Sequence, residues 1–242
     1  MLLQKAKTKL TAQINKHNLL DQEIVITCKA LKIEEAIGNP LHHDYPIQTG
    51  KEQMIEADLL GKRGQAFTDA YLNYRGQIKD IMTFELDTNA KRAIFISTLN
   101  AVMAELGHIS ETVHCKDDDL LKCADHFREF IKNQFKQENK VLLVGLQPRL
   151  LSVLAELKDV RVCDKNPDNY GITKSGVEIE SPDAFPKNAE WADVIIATGS
   201  TIVNGTIDEI YDANPDTYFY GVTISGVAQL LGLNHFCYVM EG

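Results

Sequence analysis

A chain of 242 residues, 44% of them hydrophobic, can bury a substantial core and falls between one large domain and two small ones. Its formal net charge of −9, with the basic residues scattered, excludes a nucleic-acid-binding surface and reads as a solubility feature. Five cysteines (Cys28, Cys115, Cys123, Cys163 and Cys237) are odd in number and widely spaced, which points away from a disulfide framework and toward a reducing cytoplasm.

The first segment, MLLQKAKTKLTAQINKHNLL, alternates basic and apolar residues and predicts an amphipathic helix over 2–19, neither a secretory signal nor a membrane span. Period-two alternation predicts a strand over 23–33 (EIVITCKALKI), with further strand-like stretches at QMIEADLL (53–60) and GQAFTD (64–69). Helical spacing follows over 88–106 and over 118–135, the latter with Leu120, Ala124, Phe127 and Ile131 on one face. Strands followed by helices indicate an α+β unit. The charged stretch KQENK then marks a change of grammar, and the chain divides into 1–138 and 139–242. In the second part strands at 140–146, 160–164, GVEIE (176–180), 193–198, 217–223 and HFCYVM (235–240) alternate with helices from Pro148 to Leu157, at 202–212 and through VAQLLGL (227–233). That alternation predicts a mainly parallel, Rossmann-like α/β sheet covered on both faces.

Four places could carry chemistry. The densest is the turn after VIIAT, where Thr198, Gly199, Ser200, Thr201, Asn204, Gly205 and Thr206 crowd one strand-to-helix connection. Ligands bind at the carboxyl ends of strands in open α/β sheets, and glycines let the backbone approach them. Capping by Ser200 or Thr201 would use only one or two of these groups. Thr223, after the next strand, extends the same polar floor. The second place is GLQPRLL: Gly145 is the only glycine of a dinucleotide fingerprint, Pro148 has no N–H for a phosphate, and Gln147 lies between them. Asp164, at the end of the following strand, stands where an acid binds a ribose hydroxyl, or else opens the turn DKNPDN with Asn166. Nucleotide or S-adenosylmethionine binding therefore ranks low.

The third is TVHCKDDD, with His114 and Cys115, followed by Cys123 and His126. Two thiols and two imidazoles suit a soft or borderline transition metal such as zinc, nickel, copper(I) or iron, although the spacing matches no standard zinc motif. Cys115 with His114 or Cys123 as metal ligands, a reactive metal-free thiol, and ordinary packing all remain open. His114 is the best single candidate for proton transfer, because imidazole titrates near neutrality. The fourth is the loop at 61–69 with Gln65 and Thr68, together with Asn100 in an apolar helix. Asn100 either ties helix to loop or helps complete a ligand cleft.

GQAFTD, STLNAV around Asn100, TVHCKD, VGLQP, CDKNPDNYG, ATGSTIVNGTIDE and YGVTISGVAQLLGL together make the chain resemble the heavy-metal chelation family, in which an enolase N-terminal-like domain precedes a Rossmann-like one. The resemblance implies an interdomain cleft, with Gln65, Thr68, Asn100, His114 and Cys115 facing Gln147, Asp164, Asn166, Thr198, Ser200, Thr201 and Asn204. It implies a role in handling a metal or a metal-chelating small molecule of pterin, flavin or siderophore-like kind. The alternative is an enzyme of methyltransferase-like or condensation/hydrolysis type, acting on a heteroaromatic small molecule through His114 or Cys115. The expected partner is a small molecule or metal, and the apolar strand ends and last helix leave room for a homo-oligomer.

Overall fold

The computed structural model describes residues 1–20 and 25–240; residues 21–24, which include the start of the strand expected from residue 23, lie outside that description. The chain begins with α1 (Leu2–Lys16), which buries Leu3, Ala6, Leu10 and Ile14 at helical spacing. After β1 (Val25–Leu31) come two short helices, α2 (Ile33–Ile37) and α3 (Pro46–Thr49), then β2 (Gln53–Leu59), β3 (Lys62–Thr68) and β4 (Tyr74–Gln77). These strands form an antiparallel sheet in the order β3-β2-β1-β4. A short α4 (Ile78–Met82) leads to α5 (Asn89–Glu105), in which every residue from Ala93 to Ala104 is buried, and then to α6 (Asp119–Gln134).

The remaining elements are β5 (Lys140–Val144), α7 (Pro148–Leu157), β6 (Asp159–Cys163), β7 (Thr173–Lys174), β8 (Val177–Glu180), α8 (Phe185–Trp191) and β9 (Val194–Thr198), followed by α9 (Thr201–Asn204), α10 (Ile207–Ala213), β10 (Thr217–Tyr220), α11 (Ser225–Leu231) and β11 (His235–Phe236). They build a seven-stranded sheet in the order β11-β10-β9-β5-β6-β8-β7, parallel except for the β7–β8 pair. The fold is mixed α/β with two sheets, one mostly parallel. The chain runs outward from β5 through β6 to β8, then returns to the other side of β5 with β9, so the strand order reverses between β5 and β9.

The observed elements include α2, α3, α4, α8, β4 and β7, which the sequence pattern did not mark, and the strand expected over 217–223 ends at Tyr220; two further expected elements also differ. The helix expected over 202–212 is broken into α9 and α10, because Gly205 adopts φ +79°, a left-handed conformation that ends a helix. The last strand stops at Phe236 and a 3-10 turn (Tyr238–Met240) follows.

The two sheets are joined by packing. One apolar cluster includes Leu10 and Ile14 of α1, Phe95 and Leu99 of α5, Ile202 and Val203 of α9 and Val227 of α11. Gly64 permits the tightest contact within the first part: a Cβ there would lie 2.2 Å from the Ser97 carbonyl oxygen and 2.3 Å from the Ala101 nitrogen, so β3 rests directly on the α5 backbone. On the other face of the seven-stranded sheet, Phe127 and Ile131 of α6 pack with Val141, Leu143, Leu150 and Leu154.

Candidate functional site

The sequence around residue 145 dictates a sharp exit from β5. Gly145 takes φ +88°, and a Cβ there would lie 2.5 Å from the Thr198 side chain across the β5–β9 divide. Gln147 then caps α7, its side-chain oxygen accepting from the Leu150 N–H at 2.7 Å, and Pro148 occupies the first turn, where a missing N–H costs nothing. Across the divide, the Thr198 and Ser200 hydroxyls lie 3.1 Å apart, and Thr201 Oγ1 donates to the Thr198 carbonyl at 2.8 Å. Ser200 makes no side-chain cap to α9. Gly199 is needed for packing, since a Cβ there would meet Ile224 at 2.8 Å.

A cavity of about 470 Å³ opens at this reversal point, within the range of small-molecule sites. Gly145, Gln147, Asp164, Asn166, Thr198, Ser200, Thr201, Asn204, Thr206 and Thr223 line it from the second sheet, and Glu52, Thr68, Asp69, His114, Cys115 and Cys123 from the first part and α6. Gln65, Asn100 and Gly199 do not line it.

Gln65 and Asn100 instead hold the walls. Asn100 Nδ2 donates to the carbonyls of Gln65 (2.9 Å), Val222 (3.3 Å) and Thr223 (3.1 Å), and its Oδ1 accepts from the Gly226 N–H (2.9 Å). Of the two roles open to this amide, the geometry displays the tie, and it runs from α5 to β3 and to the turn and helix that follow β10. Gln65 donates to Glu56 at 2.7 Å and accepts the His114 N–H at 2.8 Å. Together with a bridge between Gly64 and Thr112, that bond lays the TVH segment along the edge of β3 and delivers His114 and Cys115 to the cavity. Thr68 spends its hydroxyl on the Ala70 backbone, and Thr223 accepts from the Phe67 N–H.

Asp164 is also committed to structure. Its carboxylate accepts from the Leu146 N–H (2.7 Å), the Asn166 N–H (2.9 Å) and Asn169 Nδ2 (2.8 Å), which closes the DKNPDN turn and pins it to the exit of β5. This is the turn-opening role of the two considered for it, although the side chain still borders the cavity.

The thiol–imidazole group comes together in part. Cys115 Sγ lies 3.8 Å from His114 Nδ1, and Cys115 and Cys123 are hydrogen-bonding neighbours, whereas His126 is exposed and packs on Tyr238. The His114 Nδ1 is engaged by the Cys115 carbonyl oxygen at 2.8 Å, and burial holds the imidazole pKa below its ordinary value. The hydrogen bond from Cys115 and burial together push the Cys123 thiol well up. The Cys123 thiol must therefore give up a strongly held proton before it could bind a metal, whereas His114, with Nδ1 turned to a backbone carbonyl, keeps Nε2 as the nitrogen that could do so. Among the described residues, no group of three or more His, Cys, Asp or Glu side chains could hold a metal ion.

Sequence reasoning missed Glu52, which enters the cavity from the segment before β2. Burial, then the negative charges of Asp164 and Asp69, raise its carboxyl to about 7, with Lys165 opposing. No local pattern marks it: its neighbours arrive from residues far along the chain. Tyr220 was missed as well. Its hydroxyl donates to the Gly145 carbonyl at 2.9 Å, and burial raises its pKa far enough to keep it a neutral donor.

Residues 130–231 match the family model described as "Putative heavy-metal chelation" (DUF364), so the resemblance read from the sequence is shown over that segment. A protein of unknown function from the DUF364 family of Pyrococcus horikoshii is similar in structure, with TM-score 0.50 and 16% identity, over 96% of this chain and 81% of that one. A second DUF364 protein of unknown function, from Desulfitobacterium hafniense, gives TM-score 0.46 and 12% identity over 69% of this chain and 66% of that one. The first likeness supports the α/β fold. No curated protein matches the chain. Among the described residues, no helix is long and apolar enough to cross a membrane.

Proposed function

We propose that the chain binds an organic small molecule in this cavity, of the metal-chelating kind that the family description suggests, and that a metal reaches the protein held by that molecule. The observation that carries the reading is the coincidence of three features: the reversal between β5 and β9, a backbone approach opened by Gly145, and a cavity of about 470 Å³ walled by both sheets. Hydroxyls concentrated on the second-sheet side, with carboxylates contributed from both sides, suit hydrogen-bonded recognition of a polar heteroaromatic or chelating compound. The proton held strongly by the Cys123 thiol must be lost before that side chain could bind a metal, which favours a metal carried by the ligand over one held by the protein.

A second reading has its own support. Cys115 lines the cavity with its thiol 3.8 Å from His114 Nδ1, and a thiol at that wall favours an enzyme acting on the same class of molecule once the imidazole turns away from the Cys115 carbonyl it now faces. Native mass spectrometry of protein purified without oxygen or added chelator separates the possibilities. The expected result is an organic adduct, with metal mass present only alongside it and both lost in Gly145→Val. A stoichiometric bare metal that disappears in Cys115→Ser would overturn the ligand-borne reading. Retained adduct with lost turnover in that same variant would favour the enzyme.

A further inference from the structure

Three carboxylates of the cavity wall meet near the β5–β9 reversal, and two of them are already occupied. Asp69 accepts from Asn89 Nδ2 at 2.6 Å and from Lys165 Nζ at 2.7 Å. Asp164 takes three donors from the turn it closes. Glu52 alone of the three has no hydrogen bond or ion pair among the described residues, although it lines the cavity. The charged and titratable groups facing it are Asp164 and Lys165 beyond β6, Asp69 beyond β3, and Tyr220 at the end of β10, whose hydroxyl is committed to Gly145. With Lys165 paired to Asp69, the group carries an excess of negative charge that Lys165 only partly offsets, and among the described residues no cation forms an ion pair with Glu52.

We propose that Glu52 anchors the ligand by pairing with a cationic or N–H-donating nitrogen group on it, such as an amidine-like edge or a protonated amine. This inference rests on the cavity reading above and narrows the chemical class of what the cavity takes. The hydroxyls of Thr198 and Ser200 serve the neutral part of such a molecule, and the carboxylate of Glu52 serves its positive pole. Because burial and the neighbouring aspartates raise Glu52 to about 7, association below that pH is coupled to a proton. The protonated acid releases its proton to bulk water as the carboxylate forms the ion pair with the ligand cation, so one proton leaves for each ligand bound.

The test uses benzamidine, cationic throughout the range, against neutral benzamide of the same shape, each titrated by saturation-transfer NMR from pH 5.5 to 8.5 on wild type and Glu52→Gln. Wild-type affinity for benzamidine is expected to rise about tenfold per pH unit below pH ~7 and then level off, as one-proton linkage to a group at about 7 requires. Glu52→Gln, which keeps shape and removes charge, should bind benzamidine roughly tenfold or more weakly at pH 8 and without that slope, since hydrogen bonds to charged groups are the stronger ones. Benzamide should show neither effect. If benzamide binds while benzamidine shows the same pH-independent affinity in both proteins, Glu52 is not the anchor and the cavity reading stands. If neither compound binds, both readings fall.

Discussion

The two walls of the cavity are built by different means. The wall from the seven-stranded sheet is made of backbone and short side chains: a glycine at φ +88°, a capped helix start, and hydroxyls that bond one another. The opposite wall is made of side chains presented by irregular segments: Glu52 from the stretch before β2, and His114 with Cys115 from a segment laid along β3. A backbone-built wall follows from topology, so any doubly wound sheet with this strand order opens a crevice there. A side-chain wall depends on which residues happen to approach, and under the proposed function it is the wall that would select a ligand.

If that contrast is right, damage to the shared support should exceed damage to either wall. Gly64→Ala drives a Cβ into the α5 backbone at 2.2 Å from Ser97 O, where nothing flexible can yield, and is expected to cost about 3 kcal/mol or more in urea unfolding. Asn100→Ala leaves three carbonyls and one N–H without their side-chain partner. A loss of about 3 kcal/mol is expected, with cavity-wall signals such as those of His114 and Thr223 shifting together in NMR spectra. Glu52→Gln sharpens the comparison from the other side. A folded-state carboxyl raised from 4.5 to about 7 binds a proton that the unfolded chain has released, so wild-type stability falls as pH rises from about 4.5 to 7. The variant should therefore match wild type at pH 4 and exceed it at pH 8 by on the order of 2 kcal/mol. Equal stability at both pH values would show that Glu52 is hydrated in the folded protein.

The same division governs what the sequence reveals. Both ends of α7 are readable because Pro148 fits only a first turn and the apolar stripe runs to Leu157. The polar floor after β9 is readable because VIIAT is apolar throughout, as a central parallel strand must be, and the change to hydroxyls is abrupt. The break at Gly205 looked like helix continuation because Ile207 and Ile210 keep helical spacing across it. Glu52 stayed hidden because nothing within ten residues of it reports that Asp164 and Asp69 will stand beside it. Asn100 was visible as an anomaly, an amide in an apolar helix, while its partners at 222–226 were not, since they lie far along the chain in the turn and helix after β10.

The apolar cluster that crosses between the sheets has a consequence for how this chain can be cut. Residues 130–231 include α9 and α11, whose Ile202, Val203 and Val227 are buried with Phe95 and Leu99 of α5. Expressed by itself, that segment would present those side chains to water as a contiguous sticky face, and the molecules would find one another before any ligand found them. The sequence-matched segment is thus smaller than the piece of chain that must be inherited, or cloned, as a whole.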